Sequence, residues 1–112
     1  MTIKKQFTET IDNATKYDLL RSPKIQKMAD VKGQRLDVIA YIIREETNDS
    51  GEITTICSIK TADGDMFATN SKTFIREFEA VIECVGDQPF ALDVLDGVSH
   101  AGRHFVTCAW GH

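Results

Sequence analysis

The sequence predicts a mainly β domain of five strands, with a single long helix between the third and the fourth, behind a partly helical N-terminal extension. Three observations carry this. Residues 36–44 (LDVIAYIIR) and 52–60 (EITTICSIK) are rich in β-branched and aromatic side chains, the composition of buried strands. Turn residues punctuate the chain at short intervals. One segment, residues 74–85, repeats its apolar side chains at helical spacing over three turns.

Taken in order, the first third is polar and mixed. Phe7, Ile11, Ala14 and Tyr17 recur at spacings of four, three and three, which predicts a short amphipathic helix. Pro23 should end it, because the residue before a proline avoids the helical region. Residues 24–32 predict a second short helix, with Ser22 as cap, Pro23 at the first position and Gly33 as the stop.

From residue 35 the punctuation sharpens. Residues 36–44 read as a long buried strand, and Asn48-Asp49-Ser50-Gly51 as a turn. Residues 52–60 form the second strand, with Ile53, Cys57 and Ile59 sharing a face with Thr55. Asp63-Gly64 is a hairpin signal, and residues 66–69 are a short third strand. Phe74, Ile75, Phe78, Val81, Ile82 and Val85 then make one apolar stripe, with Ser71 or Asn70 as N-cap and Gly86 as stop. Residues 90–95 (FALDVL) are the fourth strand, 96–102 a Gly-rich connection and 103–110 (RHFVTCAW) the fifth.

The order β-β-β-α-β-β is that of a five-stranded OB-like barrel, in which the helix plugs the space between strands three and four. A β-grasp or an open α+β sheet can also use five strands and a helix. Neither usually places its sole long helix after three strands. The chain therefore divides into a basic extension, residues 1–34, and a barrel domain, residues 35–112.

Composition is compatible with this. A length of 112 residues suits one domain. With 42% hydrophobic and 27% charged residues, a core is expected without disulfides or metal. Three cysteines, an odd number, argue against a disulfide framework. The N-terminus lacks the apolar run of a signal peptide, and the longest apolar run, residues 38–43, is far short of a membrane span. A cytoplasmic protein with no membrane partner is expected.

The net charge of −4 is unevenly spread. Residues 1–36 carry eight Lys/Arg against four Asp/Glu, a balance of +4. Residues 37–112 carry five against thirteen, a balance of −8. Only the basic part of so polarised a chain can follow a phosphate backbone.

OB barrels usually take ligands across strands two and three, between the first and last hairpin loops. That surface would draw on Thr54, Ile56, Ser58, Lys60 and Phe67, flanked by the NDSG and SHAGR loops. Binding a single strand needs aromatic faces for unstacked bases and cations for phosphates. Tyr41, Phe67, Phe105 and Trp110 are the aromatic candidates, and Arg44, Lys60, Lys72 and Arg103 the cationic ones. Aromatics inside strands are more often core than platform, which weighs against Tyr41 and Phe105. Phe74 and Phe78 lie on the helical stripe and belong to the core. The expected nucleic-acid-binding set is Arg44, Lys60, Phe67, Lys72, Arg103 and Trp110. Residues 99–104 form the most distinctive loop, in which His100, Arg103 and His104 would point outward and backbone amides can meet phosphate. A plain solvated hairpin is the alternative there.

Catalysis is not expected. His100 and His104 have no nearby cysteine pair, so no zinc site is predicted. Cys108 and His104 share a strand face but lie about 13 Å apart at strand rise, too far for proton transfer, and His112 is the other histidine near that thiol. The sequence has no phosphate-binding P-loop, dinucleotide fingerprint or nucleophile elbow. No metal, cofactor or small-molecule substrate is expected.

Four strings carry a family resemblance: Tyr17-Asp18-Leu19-Leu20, Val38-Ile39-Ala40-Tyr41-Ile42-Ile43, residues 68–76 (ATNSKTFIR) and residues 101–108 (AGRHFVTC). On them the chain resembles the small single-stranded DNA-binding proteins of bacteriophages and mobile elements of Gram-positive bacteria. The resemblance implies an OB-like fold and the protection of single strands during replication in a bacterial host cell. It departs from bacterial SSB in having no Pro/Gly-rich linker and no acidic, Phe-ended tail, finishing on Ala109-Trp110-Gly111-His112. Recruitment of repair enzymes through a tail is therefore not expected.

Two rival readings accompany single-stranded DNA binding. In one, a small phage-type protein binds and modulates a host or phage protein through its acidic surface. In the other, the module binds RNA. A homodimer paired through strand edges is compatible with each.

Overall fold

The computed structural model describes residues 1–8 and 13–111. The protein is mainly β, as the sequence predicts. Its elements are β1 (Thr2–Thr8), α1 (Asn13–Arg21), β2 (Gln26–Lys27), a 3-10 turn (Met28–Val31), β3 (Arg35–Thr47), β4 (Ile53–Thr61), β5 (Met66–Thr69), α2 (Lys72–Val85), β6 (Phe90–Val98) and β7 (His104–Trp110).

One curled, half-barrel sheet contains all seven strands, in the order β2-β5-β4-β3-β6-β7, with β1 added to β3. The long β3 organises it. One edge of β3 pairs with β4 from Val38 to Thr47. The other edge is shared, pairing with β6 over Arg35–Val38 and with β1 over Ala40–Glu45. A register shift between Val38 and Ala40 marks a bulge. An extra residue in one strand resets the alternation of its side chains. Leu36 and Val38 thus face the main core, as do Tyr41 and Ile43, while Ala40 and Ile42 face a second cluster on the outer side.

The main core lies between the inner face of the sheet and α2. Phe78 is its hub. Its ring meets Tyr41 edge-on at 5.1 Å, Phe74 at 5.9 Å and Phe90 at 5.7 Å. The predicted stripe is accordingly the buried face of α2, apart from Val85, which is half-buried against it. The hydroxyl of Ser71 accepts from the Phe74 amide at 3.2 Å and donates to the Val106 carbonyl at 2.7 Å. One side chain thereby caps α2 and ties it to β7. At the other end Gly86 adopts φ 80°, a left-handed conformation that favours glycine, and its N–H closes on Ile82.

The sheet is an open curl rather than a closed cylinder. Among the described residues no ladder joins β5 to β7, and α2 fills that seam. Besides the Ser71 bond, the Cys108 thiol donates to the Phe74 carbonyl across it at 3.5 Å.

The N-terminal third differs from expectation. Phe7 lies in β1, its ring 6.1 Å from Tyr41, and not in a helix. The helix starts at Asn13 and ends at Arg21, just before Ser22-Pro23 as predicted, and Ile11 lies outside the described residues. The helix expected over 24–32 is replaced by β2, which runs parallel to β5, and by the 3-10 turn. Met28 and Val31, three apart, are the turn's buried residues, which suits three residues per turn. Both corrections have one cause. β1 and β2 are held by hydrogen bonding to strands far away in sequence, which no local pattern records.

All three cysteines are free thiols, with Cys57 and Cys108 buried and Cys84 exposed. Burial pushes both buried thiols up, Cys108 to about 12 and Cys57 further. Since the thiolate is the reactive form, iodoacetamide at pH 8 should alkylate Cys84 alone in the native protein and all three in urea. Intact mass reads the count, and a second native adduct would contradict the described packing.

Candidate nucleic-acid interface

The outer face of β4 and β5 is the wall on which the sequence reading placed its ligand. Side chains alternate along β4, so Thr54, Ile56, Ser58 and Lys60 share this face while Thr55, Cys57 and Ile59 point inward. Helix α1 lies across part of the wall. Leu19 is its fully buried residue and packs with Ala40, Ile42 and Met66, supported by Ile3, Leu20 and Ile25. Ser58 is completely buried in this region. Thr54 is exposed and Ile56 half-buried, so the wall stays open toward the end near the Asn48–Glu52 turn.

In that open part lies a groove of about 380 Å3, lined by Lys27, Met28, Ala29, Ile56, Ala68, Thr69 and Asn70. Its floor is Ile56 and Ala68, on the outer faces of β4 and β5. One bank is supplied by β2 and the 3-10 turn, because Lys27 pairs with Ala68. In sequence this bank belongs to a basic stretch, residues 16–30, with Lys16, Arg21, Lys24 and Lys27 against Asp18 and Asp30; of these side chains Lys27 lines the groove.

The six predicted site residues do not form one cluster. Phe67 is only 4% exposed and belongs to the main core. It sits opposite Ile59, whose side chain faces inward, so its ring is not a surface platform. Arg44 is 9% exposed, and its guanidinium donates to Ser58 Oγ and to Glu46 Oε1, both at 3.0 Å. It is a structural cation that satisfies a buried hydroxyl, not a free contact for phosphate. Lys60 does lie on the outer wall, half-buried, paired with Ala40 and Met66. Lys72 is exposed at the start of α2, on the other side of the sheet.

Arg103 and Trp110 are exposed, Trp110 at 46%, but Arg103 precedes β7 and Trp110 ends it, about 23 Å apart at strand rise. The loop before β7 is tightly closed. Ser99 and Arg103 exchange backbone and side-chain bonds at 2.9 and 3.1 Å, and Gly102 takes φ 79°. His104 is bound at 2.8 Å to Asp96, which Lys32 also reaches at 3.0 Å. Hydrogen bonds from Lys32 and His104 hold the Asp96 carboxyl below the usual carboxylate range.

Of the other aromatic candidates, Tyr41 is buried in the core, and desolvation raises its hydroxyl's pKa. Phe105 is half-buried over Gly97, where a Cβ would run into its ring, so the glycine is what lets the ring lie flat. Tyr17, expected on the apolar face of the first helix, is instead 66% exposed on α1, whose buried residue is Leu19, and Lys27 is brought to the wall only by the parallel β2–β5 pairing. Lys27 carries no local signal that singles it out. Among the described residues no three His, Cys, Asp or Glu side chains gather as a metal site, and no helix is long and apolar enough to cross a membrane.

Comparison with known proteins gives a plain result. No protein family, curated protein or solved structure matches this chain. The groove and its surroundings therefore carry the functional reading.

Proposed function

We propose that the protein binds single-stranded DNA without strong sequence preference, along the outer β4–β5 wall, and serves replication of a phage or mobile element as a binding module rather than an enzyme. The observation that carries this reading is the β4–β5 groove, apolar on its floor and bordered by Lys27 within the most basic part of the chain. An apolar floor suits base faces, and a cationic bank suits the backbone that links them.

The finer assignment of the fold as OB-like is part of the same proposal. Support comes from the pairing of β6 with β3, which returns the last hairpin to the first strand of the meander after the intervening helix. Helix α1, which covers the Ser58 end of the wall, confines a bound strand to the Thr54–Ile56 end and the β2 bank. The contacts assigned are Lys27 and the floor at Ile56 and Ala68; Lys60 lies beyond Ser58, at the end that α1 covers.

Anisotropy of labelled oligo-dT tests the reading. Binding should weaken steeply with salt, with a log–log slope of about −0.7 per phosphate neutralised. Lys27→Gln should flatten that slope by about 0.7 while leaving the thermal midpoint unchanged, since Lys27 is exposed. Absence of binding at low salt removes the proposal. A second reading, an acidic surface that docks a basic protein, is favoured by the −8 balance of residues 37–112 and by the burial of Phe67, which takes the predicted ring off the wall. Failure to bind DNA at low salt would leave that reading standing.

A further inference from the structure

A second groove lies between β1, β4 and α2, about 240 Å3 in volume, lined by Lys4, Thr55, Lys72, Ile75, Arg76 and Glu79. Thr55 and Ile56 are adjacent on β4 and point to opposite faces, so this groove opens on the other side of the sheet from the wall described above. Its chemistry is independent of strand binding at that wall.

The charge of this groove is out of keeping with its surroundings. Residues 37–112 carry only five Lys/Arg among thirteen Asp/Glu, yet two of the five, Lys72 and Arg76, line this groove from successive turns of α2. A third cation, Lys4, arrives from β1 at the irregularity between Ile3 and Lys5, where an extra residue re-aims its side chain. Among the described residues Lys4 and Lys72 make no ion pair. Arg76 lies 3.3 Å from Glu77, and both side chains are exposed, a contact of little strength in water. Glu79 is the one carboxylate in the lining, which leaves a balance of +2.

We propose that this groove binds a phosphate monoester. Such a group carries about −1.5 to −2 charges at pH 7 and offers three acceptor oxygens, which matches three converging cations offset by one carboxylate. Thr55 supplies a hydroxyl that can donate to a fourth position, and the edge of the otherwise buried Ile75 closes the lining. The volume is below the roughly 300–1,000 Å3 of sites that enclose a whole drug-sized ligand, so it fits a phosphoryl group and its sugar rather than a dinucleotide. Two sources present this chemistry, a free nucleoside monophosphate and the 5′-phosphate end of a DNA strand.

Amide spectra of the 15N-labelled full chain, titrated with inorganic phosphate and with chloride at equal ionic strength, test the proposal. Phosphate should produce saturating shifts at Lys4, Thr55 and Ile75 that chloride does not. Exchanging Lys72→Gln and Arg76→Gln together should weaken binding about tenfold, and Glu79→Gln should tighten it about threefold. All three positions lie at the surface or partly so, and an unchanged spectrum elsewhere verifies the fold. Linear drift equal to that in chloride, shifts centred elsewhere, or saturation indifferent to the double exchange overturns the proposal. Given saturation, preference for 5′-phosphorylated over 5′-hydroxyl oligo-dT assigns the strand end, and saturation by thymidine monophosphate without that preference assigns the free nucleotide. Because the phosphate titration uses no oligonucleotide, it stands or falls separately from DNA binding at the β4–β5 wall.

Discussion

Phe78→Ala should lower the unfolding free energy by about 3–5 kcal/mol, the range for deleting a buried aromatic ring. The position explains the size. Phe78 is fully buried and contacts Tyr41 on β3, Phe74 one turn earlier on α2 and Phe90 at the start of β6. It therefore joins the helix to both halves of the sheet, and a packed interior relaxes only partly into the space a lost ring leaves. Against a total stability of about 5–15 kcal/mol for a domain of this kind, the loss is a third or more. Urea melts would report it as a midpoint lowered by more than about 1 M at unchanged slope. Val85→Ala is the control, at the half-buried end of the same stripe, and should cost far less. Equal losses at both positions would mean that α2 does not seat on the sheet through Phe78.

Leu19→Ala should act more locally and, for function, more visibly. A Leu→Ala change at a buried site costs about 2–5 kcal/mol, but here the cost is limited by the free energy that holds α1 on the sheet. Leu19 is the buried residue of a nine-residue helix, and helices shorter than about 12–15 residues are marginal in water without tertiary contacts. The expected result is loss of α1, with fast amide exchange over residues 13–21 and retained protection in β3 and β4. Releasing α1 uncovers Ala40, Ile42 and Met66 and lengthens the free outer wall. If DNA follows that wall, oligo-dT affinity rises in this variant. If α1 amides stay as protected as in the native chain, the second cluster is not what anchors the helix.

Both predictions draw on features whose legibility in the sequence differs. The Phe78 stripe was readable because a helix repeats its buried face every three to four residues, within one short segment. Helix α2, its Ser71 cap, its Gly86 stop and the five strands from β3 onward all follow from such local rules. Boundaries were less legible. β3 extends to Thr47, beyond the predicted residue 44, because Glu45 and Glu46 find partners in Thr55 and Thr54 on β4. The bulge at residue 39 was not legible either, since an apolar run reads the same whichever face each side chain takes.

The site residues illustrate the same limit. Alternation from Cys57 and Ile59 puts Lys60 on the outer face. Phe67 faces inward through its pairing with Ile59, an orientation that a four-residue strand has too few positions to reveal. Residue type alone makes Arg44 a surface cation. Its burial depends on Ser58 and Glu46 lying within reach, which is a property of the β3–β4 register.

By itself, then, the sequence determined a mainly β domain, one capped amphipathic helix ahead of the last hairpin and a basic first third on an acidic body, because each of these is written in neighbouring residues or in composition. The tertiary structure alone decided that β1 and β2 join the sheet, that α1 lies over part of the outer wall, that the curl stays open beside α2, and that Lys4 lines one groove with Lys72 and Arg76. Each of those depends on contacts between segments tens of residues apart, whose free energy comes from burial and hydrogen bonding that only the folded arrangement brings about.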